Sequence, residues 1–220
     1  MFQEQGFEIV RSILTDVECA EIKAELAKFK LSGAGTRNLL GTHWCTALAA
    51  KVRLHPTIAR LVPQTHIAAQ CTYFEKSKER NWLVSLHQDL SIPVAARIDH
   101  PGLSGWSEKE GGIYVQPPLS VLEEIVAVRV HIDPCGHDDG PLKVVPGTHT
   151  LGIIGPEAGL IARSKTQEVP CIAEQGSAVV IRPLILHASS KASGHSLRRV
   201  LHFVFGPKVL PYGLRWQTAA

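Results

Sequence analysis

The chain has 220 residues, of which 45% are hydrophobic and 20% are charged, a composition typical of a globular protein with a sizeable core. The formal net charge of +3 and the lack of a long basic run argue against a nucleic-acid partner. Because we find no signal peptide, no apolar stretch near the ~20 residues of a membrane span and no paired cysteine motif, we expect a cytoplasmic protein with reduced cysteines and no membrane partner.

The first part of the chain, residues 1–64, is expected to be helical. Thr15 and Glu18 have the spacing of a capping box in front of an apolar series, which predicts the start of a helix. A second helical stretch is predicted over about residues 46–61, with a break or restart at Pro56.

The remainder, residues 65–206, is expected to form a β core. Short apolar or alternating runs end at Gly and Pro turns, and they predict strands at 66–75, 83–86, 125–132, 142–145, 177–181, 184–186 and 200–205. Residues 93–118 and 152–159 are predicted loops, the first long enough to be a functional loop or lid. With no β-α-β alternation, the pattern predicts one domain over residues 1–220, mainly β with N-terminal helices and a core of the jelly-roll kind.

Several histidines and one carboxylate have the spacing of a metal site. His87 and Asp89 are two residues apart on what looks like a continuation of the strand 83–86, so their side chains are expected to share a face. His187, which follows an apolar run, is the best candidate for a third ligand. Two imidazoles and one carboxylate form a facial triad, which leaves coordination positions open for a keto acid and dioxygen.

Two further residues would complete a co-substrate site. Arg198 lies beyond His187, where a returning strand would bring it back beside the site. Its guanidinium could bind the far carboxylate of 2-oxoglutarate through two hydrogen bonds, and the Ser189 hydroxyl could add a third.

Other metal sites are weaker alternatives. His131 and Asp133 repeat the His-x-Asp spacing, but Asp133 begins a turn and is more naturally a capping residue. His131, Cys135 and His137 could suggest zinc, although no second pair has the spacing of a zinc finger.

Three stretches resemble the phytanoyl-CoA dioxygenase family of Fe(II)/2-oxoglutarate oxygenases. Residues 73–90 contain the His-Gln-Asp sequence, and residues 139–149 read DGPLKVVPGTH, similar to the family's NGxLxxxPGSH. The third stretch, His-Ala-Ser at 187–189, has Arg198 at the matching offset. Ala188 and Asp139 stand where the family often has Gly and Asn, which leaves the triad intact.

This resemblance implies a double-stranded β-helix (cupin-like) core, an Fe(II) cofactor, 2-oxoglutarate as co-substrate and O2 as oxidant. It also implies that His87, Asp89 and His187 are the metal ligands and catalytic residues and that Arg198 anchors 2-oxoglutarate. His149, within the second stretch, is not a ligand in the family's pattern.

The predicted function is therefore a dioxygenase that hydroxylates a small-molecule metabolite with release of succinate and CO2. Asp89 fills the position that related halogenases leave for chloride, so hydroxylation or desaturation is expected instead of halogenation. Two alternatives stay open: a non-catalytic cupin-like barrel that binds a small ligand, and a zinc or nickel enzyme, which would not need Arg198.

The sequence does not identify the substrate or the oligomeric state. Arg129 is a charge within an apolar strand and needs a partner if it is buried, either Asp133, Glu123 or an anionic group of the substrate. The densest basic group, 76–80, is interpreted as a solvated loop. The residues that could line a substrate pocket are Trp82, Arg97, Trp106, Gln116 and Arg129.

Overall fold

The computed structural model describes residues 2–29, 33–194 and 197–220. In these ranges the α-helices are α1 (Phe2–Gln5), α2 (Asp16–Leu26), α3 (His43–Leu54), α4 (Pro56–Leu61), α5 (Leu119–Glu124) and α6 (Pro156–Lys165). The strands are β1 (Phe7–Val10), β2 (Gly35–Thr36), β3 (His66–Lys76), β4 (Val84–His87), β5 (Ile92–Val94), β6 (Ser104–Lys109), β7 (Gly112–Gln116), β8 (Val126–His131), β9 (Leu142–Val145), β10 (Val169–Pro170), β11 (Ala178–Ile181), β12 (Leu186–Ser189) and β13 (Arg198–Pro207).

The N-terminal helices begin and end at local sequence signals. The Thr15 hydroxyl accepts a hydrogen bond from the Glu18 N–H, and the Glu18 carboxylate accepts one from the Thr15 N–H, which confirms the predicted capping box at the start of α2. The predicted break at Pro56 is also confirmed, because α3 ends at Leu54 and α4 begins at that proline.

The expectation that residues 1–64 are helical is wrong at the two-residue β2, which pairs with β3, and over a longer stretch at β1. Its four residues pair antiparallel with β11, Phe7 opposite Ile181 and Val10 opposite Ala178. Only Val10 of this short strand is buried, so the sequence carries no alternation that would reveal it. Pairing with a distant strand decides its conformation.

Two antiparallel sheets face each other and form the predicted jelly-roll core. The large sheet has the strand order β1-β11-β8-β13-β3-β2, and the small sheet has the order β10-β9-β12-β4. Alternating residues of β8 separate the two sides of the large sheet: Val126, Val128 and Val130 pack in the core shared with the helices, whereas Ala127 and Arg129 line a cavity between the sheets.

A third sheet occupies the segment that was predicted to be a loop. Residues 93–118 contain β6, β7 and all but the first residue of β5, in the order β5-β7-β6. The prediction is wrong because β6 is mostly exposed and lacks an apolar face. The turn after it places Glu110 and Gly111 at positive φ, a connection that the residue pattern alone did not indicate as a hairpin.

The structure also differs from the predictions at α6 and at β12. The predicted loop 152–159 contains the start of α6, whose first residue is Pro156, a position that proline favours. The predicted strand 184–186 is displaced: β12 begins at Leu186 and includes His187, which therefore lies within a strand and not at its end.

All five cysteines are free, as expected, and the structure places all of them in buried positions. None of the helices in the described part of the chain has the length and apolar character needed to cross a bilayer. That residues 1–220 form a single domain stays a prediction.

Candidate metal centre and its cavity

The structure brings His87, Asp89 and His187 together on the small sheet. His87 is the last residue of β4 and lies directly opposite His187 of β12 in the strand register. Asp89 follows β4, so the prediction that both residues lie on one strand is wrong for Asp89. Its backbone N–H donates a 2.9 Å hydrogen bond to the Pro183 carbonyl, just before β12, which holds this segment near His187. One Asp89 oxygen lies 3.6 Å from Nε2 of His87 and the other lies 3.7 Å from Nε2 of His187.

Backbone hydrogen bonds fix the orientation of both imidazoles. Nδ1 of His87 lies 2.8 Å from the Ser85 carbonyl, and Nδ1 of His187 lies 2.9 Å from the Ile185 carbonyl. Since a carbonyl only accepts, each Nδ1 carries the proton and each Nε2 presents its lone pair toward Asp89. This tautomer is the one that a metal ligand requires.

The charge states of His187 and Asp89 also suit a cation. Burial lowers the pKa of His187 and so favours its neutral form. Burial acts to raise the pKa of Asp89, but His187 and His87 outweigh it and hold this pKa well below its ordinary value. A neutral imidazole and an ionised carboxylate are the forms that bind a metal, so His187 and Asp89 are in the required form. Burial acts to lower the pKa of His87, but Asp89 raises it above its ordinary value, so a cation would displace a proton from this imidazole.

These three side chains fit an iron site. One ligand atom from each lies within 4.8 Å of the others, and no other group of three His, Cys, Asp or Glu in the described ranges could hold a metal. Two imidazoles and one carboxylate leave part of the coordination sphere open, which is typical of non-haem Fe(II) oxygenases. The Nδ1 hydrogen bonds, the charge states of His187 and Asp89, and the donor set agree with that group.

Arg198 and Ser189 lie together at one end of the cavity, held by one carbonyl. The Gly140 carbonyl accepts a 2.8 Å hydrogen bond from the Ser189 hydroxyl and another from Nη1 of Arg198. Nε of Arg198 is buried and has no hydrogen-bond partner among the described residues. A guanidinium with an unused donor fits the anionic co-substrate that the sequence predicted, although the Ser189 proton is already donated within the protein.

Lys76 was missed by the sequence analysis. It was assigned with its neighbours to a solvated loop, and this is wrong: its side chain is 1% exposed at the end of β3, where it pairs in register with Arg198. Its ammonium donates hydrogen bonds of 3.0 Å to the Ser189 hydroxyl and 2.6 Å to the Ser190 carbonyl. Burial and the Arg198 charge lower its pKa to about 8. On β3, Lys76 has the two-residue spacing that puts it on the same face as Thr72 and Phe74, which line the cavity. This spacing was the signal in the sequence that could have identified it.

The cavity between the sheets is lined by the three candidate metal ligands and by Ser189 and Arg198. It has a volume of about 380 Å³, near the lower limit of ~300–1,000 Å³ that is usual for ligand sites. Of the predicted pocket residues, Trp82 and Arg129 line it. Trp106 instead lies beside Arg97, and neither these two nor Gln116 is among the described residues that line the cavity.

The alternative metal pair does not come together at a site. His131 faces the interior from β8, whereas the Asp133 carboxylate accepts hydrogen bonds of 2.7 and 2.9 Å from Arg199 and forms a 3.0 Å ion pair with Lys23. Asp133 is therefore a structural residue. His149 contacts the Gln3 carbonyl near the N-terminus and does not belong to the metal cluster.

Comparison with known proteins agrees with this geometry. The sequence matches the phytanoyl-CoA dioxygenase (PhyH) family over residues 2–200. No protein with a curated description matches the chain significantly.

Solved structures of similar fold share little sequence with this chain. HygX from Streptomyces hygroscopicus, with nickel, 2-oxoglutarate and hygromycin B bound, is 16% identical, with 94% of this chain and 84% of that chain covered and a TM-score of 0.66. EctD from S. alaskensis is 14% identical, with 93% and 74% covered and a TM-score of 0.70. The non-heme alpha ketoglutarate dependent carbocyclase SnoK from nogalamycin biosynthesis is 13% identical, with 93% and 81% covered and a TM-score of 0.65. At these identities the likeness shows the fold.

Proposed function

The chain belongs to the phytanoyl-CoA dioxygenase family of Fe(II)/2-oxoglutarate oxygenases, and from this we propose that it hydroxylates a small-molecule metabolite with release of succinate and CO2. The observation that carries the proposal is the convergence of His87, Asp89 and His187, with ligand atoms within 4.8 Å of one another, at the wall of a cavity that Arg198 also lines.

We assign the roles by chemistry and position. Nε2 of His87, Nε2 of His187 and a carboxylate oxygen of Asp89 would hold Fe(II). Arg198 would bind the far carboxylate of 2-oxoglutarate, because a guanidinium pairs with a carboxylate through two parallel hydrogen bonds. Bound together, the iron and the keto acid supply the activation of O2 that oxidises a substrate C–H bond, with decarboxylation of the keto acid.

The surrounding residues favour this chemistry in two ways. The carboxylate of Asp89 occupies the ligand position that a halogenase would leave for chloride, which supports hydroxylation. Part of the cavity wall is buried, namely His187, Ser189, Arg198 and His202, which limits water around the ion pairs formed there. The side chains of His87 and Asp89 are 38% and 42% exposed, so bound substrate would complete the exclusion of water. The small volume favours a small metabolite as substrate, since the co-substrate shares the same space.

The test is turnover with a matched histidine control. Full-length protein is loaded with Fe(II) under anaerobic conditions, supplied with 2-oxoglutarate, O2 and a metabolite panel, and assayed for succinate and for products that gain one oxygen atom. His187→Ala removes a ligand and is expected to lose metal binding and succinate release. His149→Ala removes a histidine outside the cluster and is expected to keep both.

Two results would contradict the proposal. One is wild-type protein that binds no Fe(II) and releases no succinate above the metal-free background, which would support the non-catalytic barrel. The other is a His187→Ala variant that releases succinate as fast as the wild-type protein, which would place the metal elsewhere.

A further inference from the structure

Arg129 presents an unusual charge to the interior of the core. It lies on β8, its side chain lines the cavity, and its guanidinium stacks over the Phe74 ring at 5.4 Å. Nη1 donates a 3.0 Å hydrogen bond to Nδ1 of His202, whereas Nε is buried and has no partner within the described ranges. Arg129 as a whole is half-buried, but a guanidinium is always charged, and a charge that is partly removed from water is costly unless an opposite charge compensates it.

The acidic residues near Arg129 do not supply that compensation. Asp133 is engaged by Arg199 and Lys23. Glu123 is exposed on α5. The charge of Asp89 favours the charged form of Arg129 from a distance, but its carboxylate lies between the two imidazoles of the proposed metal centre and would be taken up by the metal. No ion pair between Arg129 and a carboxylate is found in the described part of the chain, so a ligand is left as the source of the negative charge.

The partner of Arg129 adds a second donor. Because arginine can only donate, Nδ1 of His202 must accept, and the imidazole proton is on Nε2. His202 also lines the cavity. Arg129 and His202 therefore form a pair of donors that face the same space, held in place by their own hydrogen bond.

The charged side chains that line the cavity also favour an anionic ligand. Of the lining side chains that the structure describes, four are cationic and only Asp89 is acidic. Arg37 is paired with Glu110 outside this set. Lys109, Arg129 and Arg198 remain. The proposed function adds a divalent cation and the dianion of 2-oxoglutarate, which cancel in charge, so the positive excess persists after both have bound.

We propose that Arg129 and His202 form a second carboxylate-binding subsite, separate from Arg198. The inference rests on the proposed function and narrows its substrate class. The subsite takes either a carboxylate of the primary substrate or the carboxylate next to the keto group of 2-oxoglutarate, since Arg198 binds the far one. In either case the guanidinium donates to carboxylate oxygens and the His202 Nε2–H adds a further hydrogen bond.

The two sources are separated by binding measurements on full-length protein loaded with Ni(II), which does not turn over. 2-Oxoglutarate is titrated by calorimetry into the wild-type protein, Arg129→Gln, Arg129→Lys and the control Arg163→Gln, whose arginine pairs with Glu168 on the surface. Thermal unfolding of the Ni(II) and 2-oxoglutarate complex is then followed with acetate, butyrate or benzoate, each beside its neutral amide.

Either of two results supports the subsite. If Arg129→Gln binds 2-oxoglutarate about 10- to 100-fold more weakly, the co-substrate is the source, since hydrogen bonds to charged groups have this magnitude. If 2-oxoglutarate binding is unchanged, but carboxylates stabilise the wild-type protein more than amides and Arg129→Gln loses that difference, the source is the primary substrate. Arg129→Lys keeps the charge and is expected to retain part of either effect.

The subsite is overturned if Arg129→Gln matches Arg163→Gln in both measurements. Arg129→Lys replaces Arg129→Gln in that comparison if the glutamine variant does not fold. Failure of the proposed function itself has a different result, because the wild-type protein would then bind neither Ni(II) nor 2-oxoglutarate.

Discussion

The Gly140 carbonyl holds Ser189 and Arg198, the residues proposed to bind 2-oxoglutarate. Replacement of Gly140 by alanine tests how much this residue contributes to stability and to ligand binding. Its φ of +62° is a left-handed conformation that costs an alanine about 1–2 kcal/mol. An added Cβ would also lie 2.5 Å from the Ser190 carbonyl oxygen and 2.8 Å from Nζ of Lys76. Relief of such crowding costs about 1–3 kcal/mol. We therefore expect Gly140→Ala to lose about 2–5 kcal/mol of unfolding free energy.

Gly111 offers a matched control. Its φ is +76°, but a Cβ there would meet nothing within 4 Å. Gly111→Ala should lose the backbone cost alone, about 1–2 kcal/mol. Urea denaturation of both variants separates the two contributions, and the difference of about 1–3 kcal/mol measures the crowding.

The same substitution should reach the ligand. The Gly140 carbonyl accepts from both Ser189 and Arg198, so a shift of this residue should weaken 2-oxoglutarate binding about tenfold, the equivalent of one hydrogen bond. Gly111→Ala should bind it as the wild-type protein does. Equal losses of stability in the two variants, with unchanged binding, would refute the reasoning.

Two further predictions concern residues that support the site. Gln88, between two proposed ligands, is 8% exposed and makes three hydrogen bonds to backbone groups, including those that its amide donates to the Gly152 and Leu184 carbonyls. Gln88→Leu should therefore lose about 2–4 kcal/mol of unfolding free energy, measured by urea denaturation. A loss below about 0.5 kcal/mol would contradict this. Asp133→Asn should cost about 1.5–3 kcal/mol at neutral pH, the worth of hydrogen bonds to charged groups such as its pair with Arg199. Burial acts to raise the pKa of Asp133, but Arg199 and then Lys23 lower it below the ordinary value of 3.8. The stabilisation by the ion pair is therefore present above pH 3.8 and is lost as the pH falls through the lower pKa of the folded protein. A difference in stability between Asp133→Asn and the wild-type protein that persists in acid would argue against the ion pair.

Local sequence signals determined the parts of this protein that depend on near neighbours. The capping box of Thr15 and Glu18 set the start of α2, and Pro56 set the break between α3 and α4. Alternation and turn residues identified most strands, and the motif resemblance identified the family. The spacing of His87 and Asp89 and the apolar run before His187 were sufficient to nominate a metal centre whose three members the fold brings together; their role as ligands stays a prediction.

The tertiary structure alone decided the rest, because pairing and burial depend on residues far apart in the chain. β1 is a strand only because β11 offers it hydrogen bonds, and the exposed β6 is a strand only because β7 pairs with it. Lys76 looks like a surface lysine in the sequence, yet the register of β3 against β13 buries it beside Arg198. The excess of positive charge around Arg129 likewise exists only where strands and loops converge on one cavity, since a charge needs a partner only when the fold removes it from water.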